Sequence, residues 1–490
     1  MRAFRLAAAI VLLAGCHDED KVPDFFDPGD FTGDGRSEVA VGAPFDDAGG
    51  AGPNRGRVYV YPGPLSSTPI ILSGVEDGAQ FGFSVAAAGD FNGDGFPDLA
   101  IGAPLDDADG ITTDSGDDRG RVFIYLGGPG FPANVITLSG TEIDGQFGFS
   151  VARAGDVDSN GADDLIVGAP FEDAGGTDRG RAYLFLGSTS PSTTPNLTFA
   201  GSEDAGRFGF AVSNAGDING DGFFDWAIGA PGDDNDADTT SDSGLDRGRV
   251  FVYRGAQFPD NGVETVINGA EDNGELGTSI AGLLDINIDG TDDLIVGAPF
   301  DDGDGNTSTS AAPIRGRAYL FFGTAFSGVS SISSFGASRI FTGGEDGARF
   351  GAFVGRLGDV NSGGAPDLFI GAPFDDGDGN STDEGADRGR GFVHFGGASI
   401  DSVADLTVTG SEPGAHLGAW AGSGGDVDGD GERDFVVGAP GDDVDGNGLE
   451  DNLDRGRVLF YRGGAFLNPT ADNSLEGGLE NGAGAGTSGA

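Results

Sequence analysis

The sequence predicts an all-β fold, a seven-bladed β-propeller of four-stranded antiparallel blades, on three observations. A sixteen-residue phrase with an acidic core and a Gly-Ala-Pro ending returns seven times; its clearest copy, Gly89 to Pro104, reads GDFNGDGFPDLAIGAP. The first aspartates of the copies, Asp30, Asp90, Asp156, Asp217, Asp285, Asp359 and Asp426, stand 60 to 74 residues apart. That is room for one small sheet rather than one domain, so the units must stack to bury their faces. Each unit after the first also carries four short apolar runs with both parities filled, the pattern of strands covered on both sides.

At the N-terminus, Arg2 and Arg5 precede an apolar stretch from Leu6 to Leu13. It is too short to span a bilayer as a finished helix and has the three parts of an export signal: basic start, apolar core and small residues before a cut. Leu13-Ala14-Gly15-Cys16 resembles the lipobox of bacterial lipoproteins. That resemblance implies that residues 1–15 are removed, that Cys16 carries the lipid, and that 16–28 form a short acidic tether. From His17 to Pro28 its reach is at most about 40 Å. The expected location is the bacterial cell envelope, lipid-anchored and extracytoplasmic, either periplasmic or surface-exposed. Cys16 is the only cysteine, so no intrachain disulfide can form, and bound metal is expected to take over the stapling role.

The propeller is expected over 29–490, with repeats starting near 29, 81, 147, 208, 276, 350 and 417. In the second unit, Phe81-Gly82-Phe83-Ser84-Val85 alternates as a first strand. Asp98 to Ala103 makes a second, ended by Pro104. Arg119-Gly120-Arg121 leads into Val122 to Leu126 as a third, and Val135 to Gly140 is the fourth. Radial repetition of such sheets leaves only short edges. The first unit lacks its opening Phe-Gly strand, and the tail from Leu475 to Ser488 echoes Leu72 to Ser84, with Ala485 where Phe81 stands. The tail is therefore expected to supply the inner strand of blade one and close the ring, with Asp24 to Phe26 continuing that strand.

Phe81-Gly82, Phe147-Gly148, Phe208-Gly209 and Phe350-Gly351 precede the Gly-Ala-Pro endings, and Leu276-Gly277 and Leu417-Gly418 keep an apolar group with the glycine. From about 29 to 490 the chain resembles the FG-GAP repeats of the integrin α-subunit propeller and its bacterial relatives.

Counting each acidic turn from its first aspartate, Asp stands at position one, Asn or Asp at three, Asp or Asn at five, Gly at six and Asp at nine. Alternating oxygen side chains around a sharp bend suit Ca²⁺, which takes six to eight oxygens. No sulfur or imidazole is nearby for softer metals. Four loops carry carboxylates at one, five and nine: Asp90-Asn92-Asp94-Asp98, Asp217-Asn219-Asp221-Asp225, Asp285-Asn287-Asp289-Asp293 and Asp426-Asp428-Asp430-Asp434. Asp156-Asp158-Asn160-Asp164 has the amide at five. Asp30-Thr32-Asp34-Glu38 is off-pattern but retained as a weaker site. The sixth loop, Asp359-Asn361-Asp367, has Gly363 at five and is expected to bind weakly or not at all. An EF-hand is excluded: its twelfth position needs Glu, where this chain has Ile101, Ile228, Val296 or Val437, and its flanks are helices. Several structural Ca²⁺ ions are therefore expected.

The formal net charge is −54, with 80 acidic residues against 25 arginines and Lys21. No basic patch exists for nucleic acid, and anionic headgroups would be repelled, so contact with a membrane is expected through the lipid only. Between the second and third strands lie Asp46-Asp47, Asp106-Asp107, Glu172-Asp173, Asp233-Asp234, Asp301-Asp302, Asp375-Asp376 and Asp442-Asp443. An Arg-Gly-Arg triplet follows each, from Arg55-Gly56-Arg57 to Arg455-Gly456-Arg457. On a strand both arginines point one way and are expected to pair with the preceding acids. These connections resemble the ligand-facing loops of integrin propellers, implying an acidic face for a partner. His17, His394 and His416 share no motif, and no Ser-His-Asp arrangement or phosphate loop is visible. No catalytic or cofactor-binding residue is assigned. The expected function is a monomeric, Ca²⁺-stabilised binding or adhesion module for a protein at the cell surface, with a glycan ligand as the alternative and a hydrolase as the lesser one.

Overall fold

The computed structural model describes residues 11–12, 29–46, 54–63, 68–107, 116–234, 245–301, 314–326, 328–376, 387–442, 456–465 and 467–476. They form seven antiparallel sheets. Blade two shows the plan: Ser84–Gly89, Asp98–Ala103, Arg121–Tyr125 and Val135–Ser139, in that order from the axis outward. Blades three to seven repeat it over 150–200, 212–268, 279–342, 353–409 and 421–476. The second strand of each of blades two to seven is buried along its whole length, as expected for a sheet covered on both faces.

The sheets are held to each other by seven apolar clusters, one at each seam. Between blades one and two, Val58 and Phe81 pack with Leu99 and Ile101. Between blades seven and one, Val39, Tyr59 and Tyr61 meet Trp420, Val436 and Phe460. Each fully buried side chain of this size contributes about 1.5–3 kcal/mol. Ring closure thus rests on side-chain packing across the last seam.

The stretch expected to close the ring, about Ala485 onward, lies outside the described residues. Asn473–Glu476 is the outer strand of blade seven, with Leu475 opposite Val458. The inner position of blade one is taken by Val11–Leu12, opposite Val41 and Ala40. An open strand edge must satisfy its N–H and C=O groups, and this apolar pair does so at the seam. Asp24 to Phe26 and the rest of 477–490 lie outside them as well. Blade four also departs from four strands: Ser331–Ser333, from the connection before the outer strand of blade five, pairs parallel with Val263–Asn268.

The Phe-Gly pairs are turns rather than strand. The inner strand starts at Ser84, Phe81 is buried, and Gly82 has φ 88°. The pairing of the two motifs has a steric cause. The Gly148 carbonyl of blade three accepts a hydrogen bond from Ser84 Oγ of blade two at 2.8 Å. It lies so close to Gly102, in the Gly-Ala-Pro phrase of blade two, that a Cβ there would stand 2.1 Å away. Phe-Gly of one blade and Gly-Ala-Pro of the blade before it are therefore two halves of one backbone contact. Along the axis the inner strands enclose a cavity of about 380 Å³, lined by Phe83, Phe149, Arg153, Asn214, Arg356 and Ser423 among others.

Candidate metal centres

Each acidic turn joins the first and second strands of its blade, and in blades two to seven it is launched by a break in strand register, such as Ala87/Gly89. A bulge of this kind re-aims the chain. The position-one aspartate folds back on its own turn: Asp90 accepts the N–H groups of Asp94 at 2.9 Å and Gly95 at 2.8 Å. Asp30, Asp156, Asp217, Asp285, Asp359 and Asp426 do the same. The sixth turn keeps this shape although Gly363 offers no ligand.

The position-nine carboxylate is a clasp. Asp98 accepts from Phe91 N at 3.0 Å and, across the blade, from Gly127 N at 2.8 Å. Asp164, Asp293, Asp367 and Asp434 likewise hold their own turn and the next hairpin, and Asp225 accepts from Gly255 N. All six are 0–1% exposed. Burial, with the nearby turn carboxylates, pushes Asp98 and Asp367 up to about 7, Asp164, Asp225 and Asp293 up to about 8, and Asp434 up to about 6, against the hydrogen bonds that pull the other way. Glu38 closes the first turn, bonded to Thr32, and burial pushes it up to about 7. Backbone N–H groups orient these carboxylates without neutralising them.

Three turns bring carboxylate oxygens from three residues within 4.8 Å of one another: Asp30-Asp34-Glu38, Asp156-Asp158-Asp164 and Asp426-Asp428-Asp434. The first is the off-pattern unit. In the second, fourth and fifth turns an amide nitrogen sits among the acids: Asn92 Nδ2 donates to Asp94 at 2.8 Å, Asn219 Nδ2 to Asp225 and Asn287 Nδ2 to Asp289, both at 2.9 Å. Each amide N–H there occupies the place of a positive charge. Asn287 Oδ1 is buried with no partner, so turning that amide would point an oxygen at the same centre. The donor set is all hard oxygen and fits Ca²⁺.

Sequence reading passed over position eight. Asp163 accepts the N–H of Asp90 at 2.8 Å, and Asp292 that of Asp217 at 2.7 Å, each reaching from the next blade. A carboxylate beside the closing aspartate was the available signal.

At the opposite end, the two arginines of each triplet are split, which corrects the expectation that they point together. The intervening glycines turn the chain (Gly56 and Gly120 both have φ 81°), and a Cβ on Gly120 would stand 2.0 Å from the Phe147 carbonyl. The strand begins only at the second arginine, which pairs with its own hairpin: Arg181 with Glu172 at 2.6 Å, Arg390 with Asp375 at 2.9 Å, Arg121 with Asp106. The first reaches the connection between blades, Arg55 to Asp77 at 2.5 Å and Arg179 to Asp204 at 2.6 Å. That connection carries a glutamate the sequence reading missed. Glu76, Glu142, Glu203 and Glu345 accept the N–H of the second acid in the next blade's pair at 2.7–2.8 Å. The recurring Gly-x-Glu before each Phe-Gly or Leu-Gly was the legible sign.

Models of the FG-GAP repeat match residues 81–125, 147–185, 276–313 and 418–459, and the FG-GAP-like repeat matches 30–101. The chain is a seven-bladed β-propeller that carries FG-GAP repeats in these stretches. The FG-GAP propeller is similar to integrin alpha-PS2 of Drosophila melanogaster, 34% identical over 240 residues, covering 46% of this chain and 16% of that one. It is similar to integrin alpha-5 of Xenopus laevis, 32% over 241 residues, covering 47% and 21%. It also resembles phosphatidylinositol-glycan-specific phospholipase D of Homo sapiens, 29% over 411 residues, covering 77% and 46%. The match thus spans less than half the length of each of these relatives.

Within the FG-GAP propeller, His394 packs at 4.6 Å on Phe341, and burial lowers it to about 4, leaving it neutral. His416 Nδ1 lies 3.1 Å from the Pro373 carbonyl. Trp226 and Trp420 are 0% and 3% exposed, spent on seams rather than on a sugar-stacking surface. No helix among the described residues is long and apolar enough to cross a membrane.

Proposed function

We propose that this propeller is a monomeric, Ca²⁺-stabilised, extracytoplasmic binding module for a protein partner, tethered to a bacterial envelope membrane by a lipid on Cys16. The partner docks on the end of the ring that carries the connections between second and third strands. One observation carries this reading: the two ends are built differently. The metal turns are of one length in every blade, as a structural clamp requires. The opposite connections vary, shortest at 170–180 and longest at 231–248 and 299–316, as an uneven binding face requires. Similarity to integrin alpha chains supports a protein ligand, although fold alone does not set function.

Signal cleavage before Cys16 would remove Val11–Leu12 and open the inner edge of blade one, at Val41 and Ala40, to the tail 477–490. Deleting 477–490 from the chain that begins at Cys16 is expected to lower its melting temperature while leaving the full-length precursor unaffected. An unchanged melt in both overturns that exchange.

The docking face is tested by capture from intact cells in calcium. Shortening 299–316 to the length of 170–180 is expected to abolish capture without changing the melt. Retained capture moves the site elsewhere, and calcium-dependent binding on a glycan array would replace the protein ligand with a sugar. Cys16→Ser is expected to release the chain from the membrane fraction. Continued membrane retention would remove the lipid anchor from this reading.

A further inference from the structure

The metal turns are not equally isolated. Position two of five turns is tied to the next blade by a backbone bond: the carbonyls of Phe31, Phe91, Val157, Ile286 and Val360 accept from Gly128, Ser188, Ala256, Gly397 and Gly464. Position eight separates the seams. It is Pro97 between blades one and two, Phe224 between three and four, Pro366 between five and six and Arg433 between six and seven. It is Ser37 between seven and one, and only Asp163, between two and three, and Asp292, between four and five, place a carboxylate there.

Asp163 grips the first residue of turn two from both sides. Its Oδ2 accepts the N–H of Asp90 at 2.8 Å, and its own N–H donates to the Asp90 carbonyl at 3.0 Å. Its Oδ1 is fixed by Arg153, with Nε at 2.8 Å and the second guanidinium nitrogen at 2.7 Å. The next residue is Asp164, the clasp of turn three. Asp292 repeats the bracket on Asp217, at 2.7 Å and 3.4 Å, next to Asp293, the clasp of turn five. One dipeptide therefore holds the first ligand of one turn and the last ligand of the following turn.

We propose that Asp163 and Asp292 are positioning residues that couple the turns in pairs, two with three and four with five, so that each pair takes up its cations cooperatively. The proposal rests on the calcium reading of the turns. A cation drawing in Asp90 stiffens the peptide that Asp163 grips, and with it the backbone that presents Asp164. The second turn of the pair then has less freedom to lose when it binds, which is positive coupling without a new contact. At the seam between blades three and four, Phe224 packs on Gly155, where a Cβ would stand 2.7 Å from its ring. An apolar ring offers no such bracket; that seam keeps the Val157–Ala256 backbone bond and Asn214 Nδ2 on the Ala154 carbonyl at 2.8 Å, neither of which grips Asp156, so turns three and four lack this coupling.

The test is a calcium titration of the full chain read by amide hydrogen exchange, following 89–98, 155–164 and 216–225 separately. In the parent, turns two and three are expected to gain protection at one shared midpoint. Asp156→Ala, which damages turn three, should raise the midpoint of turn two at least about five-fold, within the usual range for linked sites. It should leave turn four unmoved. In the Asp163→Ala background the same Asp156→Ala change should move turn two less than about two-fold, the comparison being a double-mutant cycle. Equal shifts in the two backgrounds, or separate midpoints in the parent, overturn the pairing while leaving calcium binding intact. Failure of any turn to gain protection overturns the calcium reading itself. If Asp163→Ala does not fold, the cycle of Asp285→Ala with Asp292→Ala, read at turn four, decides the matter.

Discussion

At one end of the ring the closing aspartates, from Asp98 to Asp434, are held by backbone N–H groups; at the other, Asp106, Asp375 and their counterparts each face an arginine. Both ends bury carboxylate at high density, but an N–H dipole orients a charge whereas a guanidinium cancels one. The turn end is left with charge that suits a divalent ion; at the arginine end one guanidinium offsets only part of the charge, and burial with the neighbouring aspartates still pushes Glu76 up to about 7 and Glu203 up to about 8. Two motifs that look alike as strings of Asp and Gly thus lead to different chemistry, because only one is followed by arginines on a neighbouring strand.

The largest test of this contrast is metal removal. With Kd values of about 10⁻⁴–10⁻³ M, 10 mM calcium stabilises by about 1.4–2.7 kcal/mol per site. Over five sites that is about 10 kcal/mol, or roughly 10 °C for a chain of this length. Calorimetry in calcium and in EDTA should show that difference, and equal melts would erase the distinction between the ends. Next, Arg121→Met leaves Glu76 and Asp106 buried without their guanidinium and should cost about 3 kcal/mol. Denaturant unfolding should give the same loss with and without calcium; a calcium-dependent loss would mean the ends are not separate.

The pH response should sharpen the contrast further. Asp98, Asp164 and Asp434 have folded values near 7, 8 and 6, raised above the ordinary value of about 3.8, so their protonated forms stabilise the metal-free fold. That contribution is fully present below about pH 4 and is lost as pH rises through 6–8. The metal-stripped protein should therefore melt higher at pH 5 than at pH 8. Calcium should reverse the slope, since the ion takes the place of the protons; a slope of one sign in both conditions contradicts this. The smallest effect is expected at Arg55. Its pair with Asp77 is partly exposed, at 18% and 25%, so Arg55→Ala should cost about 1 kcal/mol or less, fading in high salt.

Strand positions were legible where both neighbours of a strand are fixed by the repeat. Asp98 to Ala103 was readable to the residue, because apolar runs bounded by an acidic turn and a proline allow one register. Phe81-Gly82 was misread as strand because alternation is also what a buried Phe followed by a turn glycine produces. The arginine split was hidden for a similar reason: strand periodicity was applied across Gly120, whose positive φ breaks it. Glu76 and Asp163 were passed over because each acts on a different blade, 31 and 73 residues away from its partner, and no local pattern names such a partner.

What the sequence determined by itself was the number of blades, the order of strands within them and the places of the oxygen-rich turns. Those follow from short-range rules of parity, turn chemistry and ligand spacing that one repeat satisfies alone. Tertiary structure decided which blade each carboxylate serves, how the last seam is packed and which turns share a strut. Those depend on contacts between units that are sequential only around the ring, where the free energy of a buried charge is set by whatever the neighbouring blade brings within about 3 Å.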